Sequence, residues 1–315
     1  MDLFFSSHTL LFFALTLFLR GGSGATFTFT NNCDYTVWPG ILSNAGSQAL
    51  ETTGFELSKG GSRSFQAPTG WSGRFWGRTG CTFDSSGSGT CATGDCGSGQ
   101  VECNGAGAAP PATLAEFTLG GSGGKDFYDV SLVDGYNLPM VVAGSGGSGM
   151  CGTTGCVADL NRRCPAELRV GEGEGEGCRS ACEAFGRAEY CCSGEYGTPD
   201  RCRPSVYSAM FKSACPSSYS YAYDDATSTF TCTGADYQIT FCPSLPSQKS
   251  SKESPTRATT ASTSTTTQTG EAGVMLADDS WLASLATADA SRAAFPHEIA
   301  FIATTIILLM ACLLL

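Results

Sequence analysis

Four carboxylates, Glu116, Asp126, Asp129 and Asp134, sit in residues 111–139, PATLAEFTLGGSGGKDFYDVSLVDGYNLP. Their neighbours are strand-like apolar residues. A carboxylate beside buried apolar positions is costly unless it faces a solvated cleft or a cation. This stretch is therefore the first place to look for chemistry. The plainer alternative is a solvated sheet face with scattered acids. Leu114, Phe117 and Leu119 read as one strand, and Phe127, Val130, Leu132 and Val133 as a second. The glycines of residues 120–124 join them as a hairpin would. Asp129 and Asp134 are five positions apart, so an unbroken strand would point them to opposite faces. They converge only if the chain bends at Asp134–Gly135, a turn dipeptide. The register of Glu116 against Asp129 stays open at this level.

The histidine count narrows the chemistry. The chain has only two, His8 and His297, both near its ends. A central domain without histidine has no Ser-His-Asp or Cys-His nucleophile and no histidine-ligated metal. Acid–base work then falls to carboxylates, with Arg, Lys or Tyr in support. Paired carboxylates suit glycoside hydrolysis, where one protonates and the other attacks or activates water. They suit plain sugar binding equally well. No cofactor and no metal are expected. The net charge of −11 argues against a nucleic-acid partner and favours a neutral or cationic ligand.

The chain divides by composition. Residues 1–24, an apolar run followed by small residues, read as a secretory signal peptide. Residues 25–243 are long enough for a large core or two subdomains. Residues 244–290 are a Ser/Thr-rich stalk that cannot bury enough apolar surface to fold. Residues 291–315 end in an apolar run with nothing after it, which fits a glycolipid-anchor signal; Asp289 is a candidate attachment point, beside Ala290 and Ser284. The expectation is a secreted monomer on the outer face of the plasma membrane or in the wall. Cys312 lies in the tail, and the other sixteen of the seventeen cysteines fall in residues 25–243. An even number in a secreted chain reads as up to eight disulfides. Cysteine density peaks in residues 151–215, a region braced by bridges more than by a core.

Strands are expected at residues 25–30, with Phe27 and Phe29 on one face, and at 35–38, 55–57, 63–65, 71–79, 229–233 and 237–242. In the fifth, Arg74, Trp76 and Arg78 share a face opposite Phe75. Short strands with glycine-rich turns argue for a sandwich. A helix is expected over residues 179–190, interrupted at Gly186.

Residues 87–103, GSGTCATGDCGSGQVEC, resemble the signature of the thaumatin-like proteins, which include plant pathogenesis-related proteins. Matches continue at residues 35–39, YTVWP, 114–117, LAEF, 127–137, FYDVSLVDGYN, 164–168, CPAEL, 189–192, EYCC, and 224–232, DDATSTFTC. The resemblance implies a mainly β fold: an antiparallel β-sandwich core, a disulfide-rich helical domain and a small hairpin domain, with a cleft between the first two. It implies the pairs Cys33–Cys242, Cys81–Cys91, Cys96–Cys103, Cys151–Cys232, Cys156–Cys215, Cys164–Cys178, Cys182–Cys191 and Cys192–Cys202. The family's cleft pattern of one Arg, one Glu and three Asp falls on Arg74, Glu116, Asp129, Asp134 and Asp224, the last adjacent to Asp225. Like charges so gathered resist joint ionisation, which raises at least one carboxylate pKa.

The function implied is a defence-type, antifungal protein that binds wall β-1,3-glucan through this cleft. The alternative is a weak endo-β-1,3-glucanase, with Glu116 as acid and Asp129 or Asp134 as nucleophile or base. A third reading is a surface-anchored receptor or adhesion module on the stalk. One departure stands out: residues 171–177, GEGEGEG, lengthen the Cys164–Cys178 loop and read as a solvated, flexible turn.

Overall fold

The computed structural model describes residues 24–244. The signal segment up to residue 23, the stalk beyond residue 244, the apolar tail and Asp289 lie outside the described residues.

In chain order the strands are β1 (Ala25–Asn31), β2 (Trp38–Ser43), β3 (Ser62–Ala67), β4 (Ser72–Arg78), β5 (Thr82–Phe83), β6 (Gly89–Thr90) and β7 (Leu114–Thr118). They continue as β8 (Asp126–Ser131), β9 (Met140–Ser145), β10 (Thr154–Cys156), β11 (Arg169–Val170), β12 (Gly177–Cys178), β13 (Phe230–Cys232) and β14 (Asp236–Phe241). Two five-stranded sheets, β10-β9-β14-β1-β3 and β13-β8-β7-β4-β2, make the sandwich.

Alternation builds the core between them. In β1, ATFTFTN, every second residue is buried. Phe27 meets Trp71, Phe75, Phe117 and Tyr237 at ring-centroid distances of 4.8 to 5.8 Å. Each such side chain, fully removed from water, contributes about 1.5–3 kcal/mol. All pairings within the two sheets are antiparallel except β1 with β14, which is parallel. A parallel pair needs a long connection. Here most of the domain lies between the two strands, and Cys33–Cys242 links the chain just past both their ends.

Several local expectations shift. The strand expected at residues 35–38 begins at Trp38 instead and runs to Ser43. Residues 55–57 form no strand; Val37 bridges Leu57 and Gly40 bridges Gly54 as single contacts. The helix expected over residues 179–190 is two short ones, α1 (Ala181–Phe185) and α2 (Ala188–Cys191). Ser180 caps α1 by accepting from the Glu183 backbone N–H, and Gly186 at φ +63° ends it in the left-handed conformation glycine tolerates. Another helix, α3 (Val206–Ala214), opens with a Ser205–Ser208 capping box. Its buried Phe211 joins Leu132, Tyr136, Leu160 and Leu168 in a small second core. The short helix α4 (Asp225–Ser228) leads into β13.

The described residues contain all eight disulfides named above: Cys33–Cys242, Cys81–Cys91, Cys96–Cys103, Cys151–Cys232, Cys156–Cys215, Cys164–Cys178, Cys182–Cys191 and Cys192–Cys202. The hairpin lobe, with β5 and β6, packs on the outer face of β4 through Trp76, Cys96, Cys103, Ala112 and Leu114. Arg78 lies fully buried beneath it and donates to the carbonyls of Trp38 and Val101, which pins the lobe to the sheet. The GEGEGEG turn is more ordered than its composition suggests. Gly173–Gly175 makes a 3-10 turn between the paired β11 and β12, and Gly175 and Gly177 are buried. A Cβ at Gly177 would sit 2.5 Å from Pro111, so glycine lets the two segments touch.

Candidate functional site

Sheet register decides what the sequence left open. Arg74 on β4 pairs with Glu116 on β7, and Glu116 pairs with Asp129 on β8. The three side chains therefore form one row across three adjacent strands. Directly opposite residues hold their Cβ atoms about 4.5–5.5 Å apart. The row lies on the face away from the aromatic core, because Ala115, Phe117, Tyr128 and Val130 fill the inner face of the same strands. Arg74 Nε lies 3.6 Å from Glu116 Oε1, with the two side chains 19% and 16% exposed. Asp129 is deeper, at 2% exposure. Arg74 Nε and Asp129 Oδ1 are both buried without a hydrogen-bond partner among the described residues.

Asp134 joins the row through a bend. The Gly135 N–H donates to the Leu132 carbonyl, and Gly135 has φ +85°. A Cβ there would meet Cys178 O and Pro111 at 2.8 Å, so this turn takes only glycine. The bend returns the Asp134 carboxylate to the neighbourhood of Arg74 and Glu116, whose charges it feels and shifts.

Asp224 is placed differently. It accepts from Lys212 Nζ at 3.0 Å and from the backbone and hydroxyl of Ser220. Lys212, on α3, also donates to Ser218 O and Ser228 Oγ. Asp224 thus clamps its own loop to the helical lobe. Its neighbour Asp225 stands nearer the row: it accepts from the Tyr219 hydroxyl at 2.8 Å, and its charge acts on Asp129. Phe230 pairs with Tyr128, which brings Thr229 level with Asp129. Lys212 and Tyr219 were not singled out in the sequence; α3 lacks the charge patterning that would have marked Lys212 as a loop clamp.

The electrostatics follow from burial. Desolvation pushes the Glu116 carboxyl above its usual range; Arg74 opposes this and Asp134 adds to it. Asp129 is pushed well above, first by burial and then by Glu116, with Arg74 opposing and Asp225 adding. Burial also raises Asp134, against the pull of Arg74. One guanidinium faces three acids, and Asp129, the most buried of them, is pushed furthest toward its protonated form. Among the described residues no set of three or more side chains is arranged to ligate a metal ion.

Beside the row lies a cavity of about 350 Å³, open to solvent. Asp134 and Val133 line it from the sheet side, and Glu183, Tyr190 and the Cys182–Cys191 cystine from the helical lobe. The furrow so formed meets the acid row at Asp134 and has a mixed far wall that carries Glu183.

The thaumatin family profile matches residues 31–243. Thaumatin-like protein 1 of Arabidopsis thaliana is 68% identical over 250 residues, which cover 77% of this chain and 95% of that protein. Pathogenesis-related thaumatin-like protein 3.5 of Cryptomeria japonica is 60% identical over 232 residues, 73% of this chain and 95% of its own. A Prunus avium protein named glucan endo-1,3-beta-glucosidase is 54% identical over 234 residues, 73% and 96% respectively. With its sandwich, its eight cystines and this match over most of its length, the chain belongs to the thaumatin family.

Proposed function

We propose that this protein is a secreted, defence-type glucan binder whose acidic furrow holds wall β-1,3-glucan, with antifungal action as the result. The observation that carries the reading is the row Arg74–Glu116–Asp129 with Asp134 bent back beside it, at the edge of a cavity of about 350 Å³. A neutral sugar chain offers hydroxyl donors. Glu116 and Asp134, partly exposed and short of partners, are acceptors for them. Arg74 offsets their mutual repulsion, and Asp129 stands next to Glu116 in the same row. The name of the Prunus avium relative lends support to β-1,3-glucan as the polymer. Residues 291–315, read as an anchor signal, would be exchanged for a glycolipid that holds the domain at the outer membrane face.

The second reading, a weak endo-β-1,3-glucanase, is favoured by the raised Glu116 carboxyl, since a general acid must hold a proton near working pH. Against it stands Asp129: at 2% exposure it does not reach an anomeric carbon without displacement of the sheet. Asp134 is the better candidate for nucleophile or base. The test is retention on insoluble β-1,3-glucan together with reducing-sugar release, for wild type and Glu116→Gln. A binder is retained, releases no sugar, and loses roughly tenfold in affinity on substitution. Sugar release by wild type that Glu116→Gln abolishes while retention survives establishes the enzyme instead. Absence of wild-type retention on any β-1,3-glucan refutes the binding reading.

A further inference from the structure

The furrow's far wall carries groups that the acid row does not explain. Tyr190, at the end of α2, lines the cavity of about 350 Å³ opposite Asp134. Its ring is locked by Phe185 at 5.7 Å, by Tyr207 at 6.1 Å and by the Arg187 guanidinium at 5.4 Å. Arg187 is itself held by Glu189. The adjoining Cys182–Cys191 and Cys192–Cys202 cystines fix the backbone on both sides. A ring so fixed loses little entropy when something packs on it. Yet its hydroxyl makes no hydrogen bond among the described residues. Glu183, on α1, also lines the cavity; its carboxylate accepts no hydrogen bond among the described residues and feels the charges of Arg179 and Asp134. The Asp134 carboxylate likewise accepts no hydrogen bond among the described residues, though the Arg74 charge acts on it.

Three polar groups from two lobes thus line one cavity with no hydrogen bond among the described residues. Between them the wall is apolar: Val133, Ala222, Pro110 and the cystine. A volume of about 350 Å³ is at the small end of ligand pockets, which run about 300–1,000 Å³. A smaller pocket shares Val133, Ser180, Cys182 and Tyr190 and continues toward Arg203 and Tyr221. A mixed site with an aromatic wall and two facing acceptors matches one ligand chemistry closely. A β-linked pyranose has a flat C–H face and a rim of equatorial hydroxyl donors. The face suits Tyr190, and adjacent hydroxyls suit a carboxylate on each side.

We infer that this cavity is a pyranose subsite continuous with the acid row, with Tyr190 and Glu183 as its contact residues on the helical lobe and Asp134 as its contact on the sheet. The inference rests on the glucan reading and extends it: the row alone engages one or two sugar units, and the subsite lengthens the bound segment toward α2. Tyr190 supplies orientation, because only a ring with its axial face free of hydroxyls lies flat against it. Glu183 and Asp134 set which hydroxyls must be present.

The test is calorimetric titration of the secreted full chain with β-1,3-linked glucose oligomers from the disaccharide to the hexasaccharide. Wild-type affinity is expected to rise with length up to four or more units. Tyr190→Ala is expected to weaken hexasaccharide binding roughly fivefold to tenfold and Glu183→Gln roughly tenfold, with disaccharide binding at the row unchanged. Tyr190→Phe keeps the ring packing and is expected to retain most of the affinity, which separates a contact role from a folding defect. Equal losses for both oligomers in either variant, or none in either, overturn the subsite while leaving the glucan reading intact. A wild-type protein that binds no oligomer of this series overturns both.

Discussion

The sandwich and the helical lobe position functional groups by different means. The sandwich packs an aromatic core, with Phe27, Phe29, Phe75, Trp71, Phe117 and Tyr237 in mutual ring contact. Its strands are long enough for register to act, so Arg74, Glu116 and Asp129 fall in one row. The helical lobe has few apolar residues and short elements. Cystines, caps and the Lys212–Asp224 clamp hold it, and its cavity residues Glu183 and Tyr190 stay partly exposed. A hydrophobic core can therefore bury carboxylates at cost, whereas a cystine-braced shell presents them to solvent at little cost. The furrow needs both: a floor with altered acid strength and a wall a ligand can reach.

The comparison is broken most severely in the core. Phe75 is fully buried and touches five aromatic rings. Phe75→Ala is expected to cost about 3–5 kcal/mol, measured by chemical denaturation, and to weaken glucan retention because its neighbours on β4 and β7 carry the row. In the lobe, replacing both Cys164 and Cys178 by Ala releases a link across 14 positions. A loop of that size corresponds to about 3 kcal/mol. The loss is expected to fall on binding of long oligomers more than on Glu116 titration, which NMR reads directly. Equal damage to both sites would erase the distinction between the two regions.

The smallest effect sharpens the comparison electrostatically. Glu116, Asp129 and Asp134 all have carboxyls raised in the folded state. Between the unfolded and folded values the folded protein binds more protons, so stability falls as pH rises through that window. The stabilising contribution is full below about pH 4, the ordinary carboxylate range, and declines upward. Asp129→Asn removes the most costly charge. The variant is expected to melt higher than wild type at pH 7, with a flatter decline between pH 4 and pH 7. A variant that melts lower at pH 7 would mean the Asp129 charge is stabilising and the floor is not strained as described.

Much of this was legible in the residues. Alternation in ATFTFT gives a one-sided strand, and the acids at 116 and 129 stand on the two arms of a glycine-linked hairpin. Asp134–Gly135 marked its own bend, since only glycine tolerates that φ beside Pro111 and Cys178. The helical lobe was harder. Most of its elements are too short for a period to emerge, and the residues that α3 packs against, Leu132, Tyr136, Leu160 and Leu168, come from distant segments. Trp38 as a strand start, and not a strand end, follows from pairing with Arg78, a contact forty residues away.

Residue types alone bounded the chemistry available in residues 25–243: carboxylates without histidine, and sixteen cysteines, an even number. The resemblance added the partners of those cysteines and the list of cleft acids. Only the tertiary structure chose between Asp224 and Asp225 as the acid beside Asp129, brought Lys212 onto the first, and set Glu183 and Tyr190 across the cavity. Composition and period are properties of neighbours along the chain, whereas an ion pair or a cavity depends on which distant segments meet. The sandwich register and the cystine brace make those meetings, and neither can be read from adjacent residues.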